Sequence, residues 1–286
     1  MRKLIFLSAL TSIIALLLIF VFLFSEGANL FKTYSPIDFL TGSRWYPISE
    51  PPSFGILPLL LGSLLVTALA AIVSIPLGIA SAVYISEVAP PFLKEYIKPV
   101  IELLASIPSV VLGFIGIVTL VPLVKNLFNL STGLTAFTGG IMLAFMAMPT
   151  IVSIAEDALN AVPKSYKDAS LALGATRWET IYHITVPAAV SGIVAAVMLG
   201  IGRVVGETMV VLMITGNAAV IPTGIMQPVR TLTATIAAEM GETVRGSEHY
   251  YALFAIGMAL FIITFLINMA GDIFLRKTGA VLKNKL

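Results

Sequence analysis

Long, uninterrupted runs of apolar residues occur six times along the chain of 286 residues. A helix needs about 20 apolar residues to cross the hydrocarbon core of a bilayer, and these runs are of that order. They do not alternate with a period of two, so they predict helices and not the strands of a barrel. We therefore predict an all-α integral membrane protein with six transmembrane helices. The predicted spans have approximate bounds and are Leu4–Phe24, Ile56–Ser86, Pro99–Leu120, Gly139–Ile154, Ala188–Thr215 and Tyr251–Leu275.

The composition supports a membrane protein and excludes several kinds of site. Hydrophobic residues make up 58% of the chain and charged residues 11%, whereas soluble domains have about 25% charged residues. There is no cysteine, which excludes disulfides, thiol nucleophiles and thiolate metal sites. The net charge of +2 is too small to suggest nucleic-acid binding. His183 and His249 fall on opposite sides of the membrane in the predicted topology, so we expect no metal site and no cofactor.

The distribution of lysine and arginine predicts the orientation. With the N-terminus in the cytoplasm, 11 of the 17 Lys and Arg residues fall in cytoplasmic segments, 5 fall outside and Arg203 falls within a span. Cytoplasmic loops carry an excess of positive residues, so both termini are predicted to be cytoplasmic. A cleaved signal peptide is the alternative for the first span, although 21 residues are long for a signal core.

The predicted cytoplasmic loop "SYKDASLALGATRWE", residues 165–179, has the features of two capped helices. Ser165 stands three residues before Asp168, and Thr176 stands three residues before Glu179. Each pair fits a capping box, in which side chains bind the free N–H groups of a helix start. Gly174 lies between them, where a helix end favours a left-handed residue. The loop therefore predicts a short helix over 166–173, a glycine turn and a second helix from Arg177. An ordinary hairpin joining two spans explains this pattern equally well.

The segment "DASLALGATRWETIYHITVP" resembles the cytoplasmic signature of ABC importer permeases. That signature has an acidic residue, two small residues and a glycine at this spacing, and it ends in a proline corresponding to Pro187. In the family the element is a coupling helix that docks on an ATP-hydrolysing subunit, so the resemblance implies a type I permease bundle and a partner ATPase. The chain contains no Walker A motif of its own. The implied coupling residues are Asp168, Ala169, Ser170, Leu173, Gly174 and Ala175.

Two ionisable residues, Arg203 and Glu207, fall in the middle of the fifth apolar run. A charge at this depth costs about 2.5–3.5 kcal/mol on insertion scales, so it must face protein or a water-filled cavity. Their spacing places both on one helix face, where they can pair. Gly202 and Gly206 form a small-xxx-small pattern that permits close helix approach. One hypothesis is a substrate path lined by Arg203, Glu207 and Thr208; the alternative is a structural ion pair.

The segments "GRVVGETMVVLMITGN" and "RTLTATIAAEMGE" resemble the permeases of phosphate ABC importers, of the PstC type. "SIPSVVLGFIG", Ser106–Gly116, resembles the third span of that family. The resemblance covers about residues 56–275 and implies phosphate import. The implied partners are two ATPase subunits, a second permease of the PstA type, an external phosphate-binding protein and the lipid bilayer of the cell (inner) membrane. A guanidinium suits any tetrahedral oxyanion, so sulfate and molybdate remain alternatives.

The resemblance also divides the chain into three parts. Residues 1–55 are the first span and an external loop, 56–275 are a five-helix permease core with the coupling helix at 165–174, and 276–286 are a basic cytoplasmic tail. In the external segment 228–242 we predict a short helix from Thr231 to Gly241. Three residues of this segment are candidates for an outer gate or for contact with the binding protein: Arg230, Thr231 and Thr233. The alternative is that the segment is a simple lid on the bundle.

Two other classes of function fit the sequence less well. An intramembrane enzyme needs a nucleophile or metal set at membrane depth, and the chain contains no H-E-x-x-H or G-x-S-x-G motif, so we expect no catalytic residues. A stand-alone ion-coupled transporter usually has repeated halves, and none is evident. Glu156 and Asp157, which follow the fourth run, are expected to form a solvated helix end.

Overall fold

Helices make up most of the chain. The computed structural model describes the backbone of residues 2–283 and the side chains of residues 6–273. Helix α1, Arg2–Ala28, packs along the C-terminal helix, which runs from Glu248 to Lys283. The predicted basic tail, 276–286, therefore continues this last helix as far as Lys283, and residues 284–286 lie outside the described residues.

The loop after the first span, predicted as the first external loop, folds onto the membrane helices. It contains helix α2, Pro36–Thr41, and an antiparallel pair of short strands, β1 (Trp45–Tyr46) and β2 (Ser53–Phe54). The Ser35 side chain caps α2 by accepting the N–H of Asp38. The loop supplies large buried side chains to a core that it shares with the C-terminal helix. These are Leu30, Phe39, Trp45 and Phe54, packed in one cluster with Leu253 and Ile256.

Two long helices form the centre of the bundle, and three shorter ones lie between them in the chain. Gly78 and Gly140 let the two long helices approach closely, because a Cβ at either position would lie within 2.8 Å of Ile151 or 2.5 Å of Leu69. The five helices are α3 (Leu57–Val83), α4 (Pro91–Ala105), α5 (Ser109–Ile115), α6 (Val121–Leu127) and α7 (Ala136–Asn160).

The C-terminal half begins with a helical hairpin and ends with the long helix already described. A bend of 68° separates the segment Arg177–Ala188 from Val190–Val205. The helices are α8 (Lys164–Ala172), α9 (Arg177–Thr180), α10 (Val186–Ala188), α11 (Val190–Val205), α12 (Met209–Ile214), α13 (Leu232–Glu239) and α14 (Glu248–Lys283).

Widened π-helical turns occur where prolines follow in the chain. A proline has no N–H and its ring clashes with the carbonyl four residues earlier, and a widened turn accommodates both effects. The chain continues as helix after two of these turns, so α5 with α6 and α9 with α10 each form a nearly continuous rod. The turns are Tyr84–Val88 before Pro90, Gly116–Leu120 before Pro122 and Ile181–Thr185 before Pro187.

The number of spans agrees with the prediction. In the described part of the chain, five helical segments are long and apolar enough to cross a membrane, and the bent pair that meets at Ala189 provides a sixth. The count rests on the length and the apolar composition of the helices. The five segments are Phe6–Lys32, Leu57–Val88, Ser109–Leu127, Ala136–Asn160 and Glu248–Ile273.

The third span differs from the predicted Pro99–Leu120. The helix breaks before Pro108, which adopts an extended conformation with ψ of 137°, and the span is Ser109–Leu127. Proline disfavours helical geometry at the residue before it, which explains the break. The apolar run therefore belongs to two helices. The first, α4, is amphipathic, and none of its residues is fully buried.

The fifth span also differs from the predicted Ala188–Thr215. Helix α11 ends at Val205, and a new short helix, α12, begins at Met209. Gly206 occupies the end of α11, and glycine disfavours a helix interior by about 1 kcal/mol relative to alanine. A continuous apolar composition hid this break.

Candidate functional site

The hairpin that the sequence predicts to be cytoplasmic has the predicted order of helix, glycine turn and helix. Helix α8 ends at Ala172, and Gly174 has φ of +88°, which is the left-handed conformation expected. The second capping box forms as predicted, because Thr176 accepts the N–H of Glu179 and the Glu179 carboxylate accepts the N–H of Thr176 at 2.7 Å. The local sequence therefore determines this turn.

The first predicted capping box is wrong. Helix α8 begins at Lys164, one residue before Ser165, and its N-cap is Pro163. The proline has φ of −58° and ψ of 133°, so it adopts the extended N-cap conformation, and the helix starts directly after it. Ser165 and Asp168 are both exposed and do not cap each other.

The predicted coupling residues do not all face solvent. Asp168, Ala169 and Gly174 are exposed, and the Leu173 side chain is 90% exposed, which is unusual for leucine. Ser170 is instead buried, and its hydroxyl lies 2.9 Å from that of Thr180. Ser170 therefore closes the hairpin, and a docking surface is restricted to the exposed residues. Ala175 is half-buried.

Arg203 and Glu207 do not form the ion pair that the sequence left as one of two alternatives. Among the described side chains, no ion pair joins them, because α11 ends between the two residues. Arg203 is half-buried and donates to the Thr150 hydroxyl at 3.2 Å and to the Ala105 carbonyl at 3.3 Å. Ala105 is the last residue of α4, so the guanidinium binds a carbonyl at the negative end of a helix.

Glu207 caps the following helix. Its carboxylate accepts the N–H groups of Met209 at 3.0 Å and Val210 at 3.2 Å, the first turn of α12. Its backbone carbonyl accepts the Thr233 hydroxyl at 2.8 Å, and Thr208 binds the carbonyl of Gly206. The break is therefore a built feature, held at one side by its own residues and at the other by α13.

The glycines beside the break have a different role from the predicted one. A Cβ on Gly200 would lie 2.5 Å from Ile151, so Gly200 makes the close approach to α7. Around Gly202, no described residue lies within 4 Å of where a Cβ would be, and around Gly206 only its own helix end does. Gly202 and Gly206 therefore pack against no other helix in the described part of the chain and leave open space at their own positions.

The segment 228–242, predicted to be external, forms the predicted helix, and its candidate residues turn inward. Thr231 caps α13 by accepting the N–H of Ala234. Thr231 and Thr233 are only 4% and 8% exposed, so they cannot be a contact surface for another protein in this conformation. Arg230 pairs with Glu239 at 2.5 Å. Of the predicted alternatives, a gate or a lid remains compatible with these positions.

A cavity of about 500 Å³ lies between this segment and the first external loop. The Glu239 carboxylate stands at its wall and binds three side chains, one of them 194 positions away and the other two 9 and 10 positions away. These are Trp45, whose indole N–H donates at 3.0 Å, Arg230, and His249 at 2.8 Å. No local pattern in the sequence indicates this cluster, because its members are up to 194 positions apart.

Glu156 is not the solvated helix end that the sequence predicted. It is buried, and its carboxylate lies 2.9 Å from the Lys98 ammonium, which also contacts Asp157 at 2.6 Å. Hydrogen bonds from the ammonium to Asp157 and Glu156 raise the pKa of Lys98 above its usual range. Sequence reasoning missed Lys98 because its partners are 58 and 59 positions away.

Known proteins share this sequence and architecture. Residues 74–279 match the family described as binding-protein-dependent transport system inner membrane component. The chain is 43% identical over 260 residues to the probable ABC transporter permease protein YqgH of Bacillus subtilis, covering 90% of this chain and 84% of that protein. It is 35% identical to the phosphate transport system permease protein PstC of Mesorhizobium japonicum, covering 86% of this chain and 80% of that protein.

Solved structures share the fold. A chain of a bacterial alginate ABC transporter, crystallised with a periplasmic protein carrying an alginate pentasaccharide, aligns with a TM-score of 0.68 at 16% identity over 96% of this chain and 94% of its own. A chain of the MetNI methionine ABC transporter aligns with a TM-score of 0.60 at 22% identity over 81% of this chain and 99% of its own. These alignments confirm the predicted type I permease bundle.

Family membership has consequences at the level of the complex. A permease of a binding-protein-dependent ABC importer works with a second permease, ATPase subunits and a binding protein, and it resides in the inner membrane. The resemblance identified from the cytoplasmic signature is therefore confirmed. The chain belongs to the binding-protein-dependent transport system inner membrane components, the membrane-spanning permease subunits of ABC importers.

Proposed function

We propose that this chain is the PstC-type permease subunit of an ATP-driven phosphate importer. The observation that carries the proposal is the 35% identity, over 86% of the chain, to a protein named phosphate transport system permease protein PstC. Relatives with the same name in Haemophilus influenzae and Pasteurella multocida are 33% and 32% identical over more than four-fifths of the chain. The partners in this proposal are a PstA-type permease, two ATPase subunits and an external phosphate-binding protein.

The proposed substrate path passes the break between α11 and α12. Arg203 uses two donors on Thr150 and Ala105, and a guanidinium has five N–H donors, so three remain for a tetrahedral oxyanion. The open space beside Gly202 and Gly206 gives access to them. Thr208 lies at the same break, and Glu207 sets its geometry by capping α12. Broken helices at binding sites are common in transporters, because they expose backbone groups within the membrane.

The proposed coupling surface is the exposed side of α8 and the glycine turn. Leu173 projects into solvent, and burying an exposed leucine in a cleft of another subunit contributes about 1.5–3 kcal/mol. Asp168, Ala169, Gly174 and Ala175 border it, and Ser170 holds the hairpin closed from behind. Binding of ATP by the partner subunits would move the hairpin and open the paired permeases outward.

The proposed orientation places both termini and the hairpin in the cytoplasm, with residues 56–275 as the permease core. It rests on the excess of lysine and arginine in the segments on that side. In this orientation Thr231, Thr233 and Arg230 lie near the outer end of the path, where the buried α13 acts as an outer gate. The chain itself catalyses no reaction in this proposal, since ATP is hydrolysed by the partners.

Import of a different oxyanion is the second candidate. The Bacillus subtilis relative, at 43% identity, carries a name that specifies no substrate. One arginine at a break also cannot separate phosphate from sulfate or molybdate, which are tetrahedral anions too. Selection would then depend mainly on the binding protein.

The deciding experiment is ATP-dependent uptake of labelled phosphate. The chain would be reconstituted in proteoliposomes with its ATPase subunits, second permease and binding protein, and sulfate and molybdate would be tested as competitors. Uptake that only excess phosphate suppresses is the expected result. Suppression of uptake by sulfate or molybdate would contradict the assignment of phosphate as the substrate. Uptake by the chain alone, driven by an ion gradient, would contradict its role as an ABC permease.

A further inference from the structure

A chain of polar side chains lies behind the coupling hairpin and is not part of its exposed surface. It starts at Lys167 of α8, whose ammonium lies 2.6 Å from the carboxylate of Glu87 at the end of the second span. The two side chains are only 24% and 10% exposed. The pair joins α8 directly to the second span, whereas the Ser170–Thr180 contact joins α8 to the segment Arg177–Ala188 that leads into the fifth span.

The polar chain continues from Glu87 into the fourth span. The Ser86 hydroxyl lies 3.2 Å from the Glu87 carboxylate and 2.8 Å from the side-chain oxygen of Asn160. The Asn160 amide then donates to Glu156 at 2.5 Å. Four side chains thus connect the end of the second span with the last turns of α7. Ser86 and Glu156 are buried, Glu87 is half-buried and Asn160 is exposed.

The polar chain ends on α4. Lys98 contacts Glu156 and Asp157, and Lys94 donates to the backbone carbonyl of Ser86. Apart from these lysines, α4 is held by the half-buried Ile97 and Ile101, since none of its residues is fully buried. Because its apolar packing is this limited, the two lysines have a large share in fixing where α4 lies.

The far end of α4 is the carbonyl of Ala105, which binds Arg203. A series of direct contacts therefore runs from the cytoplasmic hairpin to the proposed substrate path. Its order is Lys167, Glu87, Ser86, Asn160, Glu156, Lys98, then the length of α4 to Ala105, and finally Arg203.

We propose that Glu87 and Lys167 are positioning residues that make α4 follow the coupling hairpin, and so carry its movement to Arg203. The inference rests on the proposed coupling function of α8. A half-buried ion pair suits this task because separating the charges in a low-dielectric site is costly, so the hairpin and the end of the second span move together. Removal of the pair leaves docking of the hairpin intact and breaks its polar link to the end of the second span.

The first test measures ATP hydrolysed per phosphate imported by the reconstituted complex. Glu87→Gln and Lys167→Met are each expected to raise this ratio about fivefold or more, the size of a typical coupling energy between sites. The reversed pair, Glu87→Lys with Lys167→Glu, is expected to recover most of the coupling, because it restores the attraction. Lys164→Met is the matched control, since it removes the same charge from the exposed start of α8, and its ratio is expected to stay near that of the unaltered complex.

Several outcomes would overturn the inference. Normal coupling in both single variants would remove the pair from the mechanism. An equal loss of coupling in Lys164→Met would mean that the overall charge of α8 causes the effect. If the reversed pair does not recover coupling, the effect of the single variants is damaged packing. Assembly of each complex is checked by gel filtration, and the reversed pair keeps the test decisive if one single variant fails to assemble.

A second test needs no transported substrate. The chain has no cysteine of its own. Two exposed positions, Leu103 on α4 and Ile262 on α14, can therefore each be changed to cysteine to give one pair of spin-label sites in this chain. ATP trapping is expected to change the distance between the labels in the otherwise unaltered complex and to change it far less with Glu87→Gln. If ATP trapping does not change the distance between the labels in the complex that retains Glu87, the inference is overturned even when phosphate is imported. Conversely, a change that depends on Glu87 in a complex that imports no phosphate overturns the substrate and retains the inference.

Discussion

The hairpin of α8 and α9 and the break of the fifth span are both turns between two helices, and each uses a glycine and a glutamate. In the hairpin, Gly174 takes the left-handed conformation and Glu179 caps the next helix. In the break, Gly206 ends α11 with φ of −83°, and Glu207 caps α12. The chemistry of the two turns is alike, but their supports differ.

The hairpin is closed by residues near it in the chain, whereas the break is held by residues far away. The longest side-chain contact inside the hairpin joins Ser170 to Thr180, 10 positions apart. The break depends on Thr233, and Arg203 beside it depends on Thr150 and Ala105, the last of these 98 positions away. The comparison teaches that similar local signals yield a turn closed by its own residues in the hairpin and a junction held by distant residues in the break.

The largest expected effect is on the distant support. Arg203→Gln removes a charge that binds two helices and, in our proposal, the substrate. Hydrogen bonds to charged groups contribute about 1.5–3 kcal/mol, so we expect phosphate uptake to fall at least about tenfold. Assembly, followed by gel filtration of the complex, is expected to change much less.

A matched variant separates transport from packing at this position. Thr150→Val removes one partner of Arg203 and leaves the guanidinium in place. If Thr150→Val lowers uptake as much as Arg203→Gln does, Arg203 acts by packing α7 against α11. Uptake near normal in Thr150→Val supports a direct role for the charge.

The next effect is on the local turn. Gly174→Leu requires a left-handed leucine, which costs roughly 1–2 kcal/mol, and this corresponds to about tenfold in coupled transport. The reason is conformational, since nothing described lies within 4 Å of where its Cβ would be. ATP-driven uptake and membrane insertion are both measured, and only uptake is expected to fall.

Gly174→Asn is the control, because asparagine tolerates the left-handed region far better than leucine. We expect it to retain most of the uptake. Equal loss in both variants would point to the side chain itself obstructing the docked hairpin, and normal uptake in Gly174→Leu would refute the coupling role of this turn.

A smaller effect is expected at Glu207. Glu207→Ala removes the acceptor for two N–H groups of α12 and should cost about 1 kcal/mol of stability. Glu207→Gln keeps a side-chain acceptor and should cost much less. Thermal unfolding of the purified complex measures both variants.

Glu207 and Arg203 form no ion pair, so the effects of Glu207→Gln and Arg203→Gln on stability should add within about 0.5 kcal/mol. A strong coupling between the two variants would mean that the charges meet in another state of the transport cycle. That outcome would add a further difference between the two turns. The break would rearrange during the transport cycle, whereas the hairpin would stay closed.

The smallest effect is at the cap of the hairpin. Thr176→Ala removes the side-chain half of an exposed capping box and should cost about 0.5–1 kcal/mol of local stability. Hydrogen exchange of the N–H groups in α9 reports it. Ser165→Ala is the control, since Ser165 is exposed and caps no helix. Faster exchange in α8 of the control would contradict the assignment of Pro163 as its cap.

The sequence by itself determined the membrane class, the number of spans, the hairpin and the family signature. These features follow from apolar runs and from capping groups within a few residues of one another, so short-range chemistry is sufficient. It also located α13, because Thr231 is a strong cap before an apolar segment. The same local rules misplaced the third span, where a proline divides a continuous apolar run.

The tertiary structure decided which polar groups meet. Arg203 binds the end of α4 and not Glu207, Glu156 is buried with Lys98, and Glu239 binds Trp45 from 194 positions away. A buried polar group must find a partner wherever the packing of helices places one. Since that packing is set by apolar contacts across the whole bundle, no spacing along the chain predicts the partner.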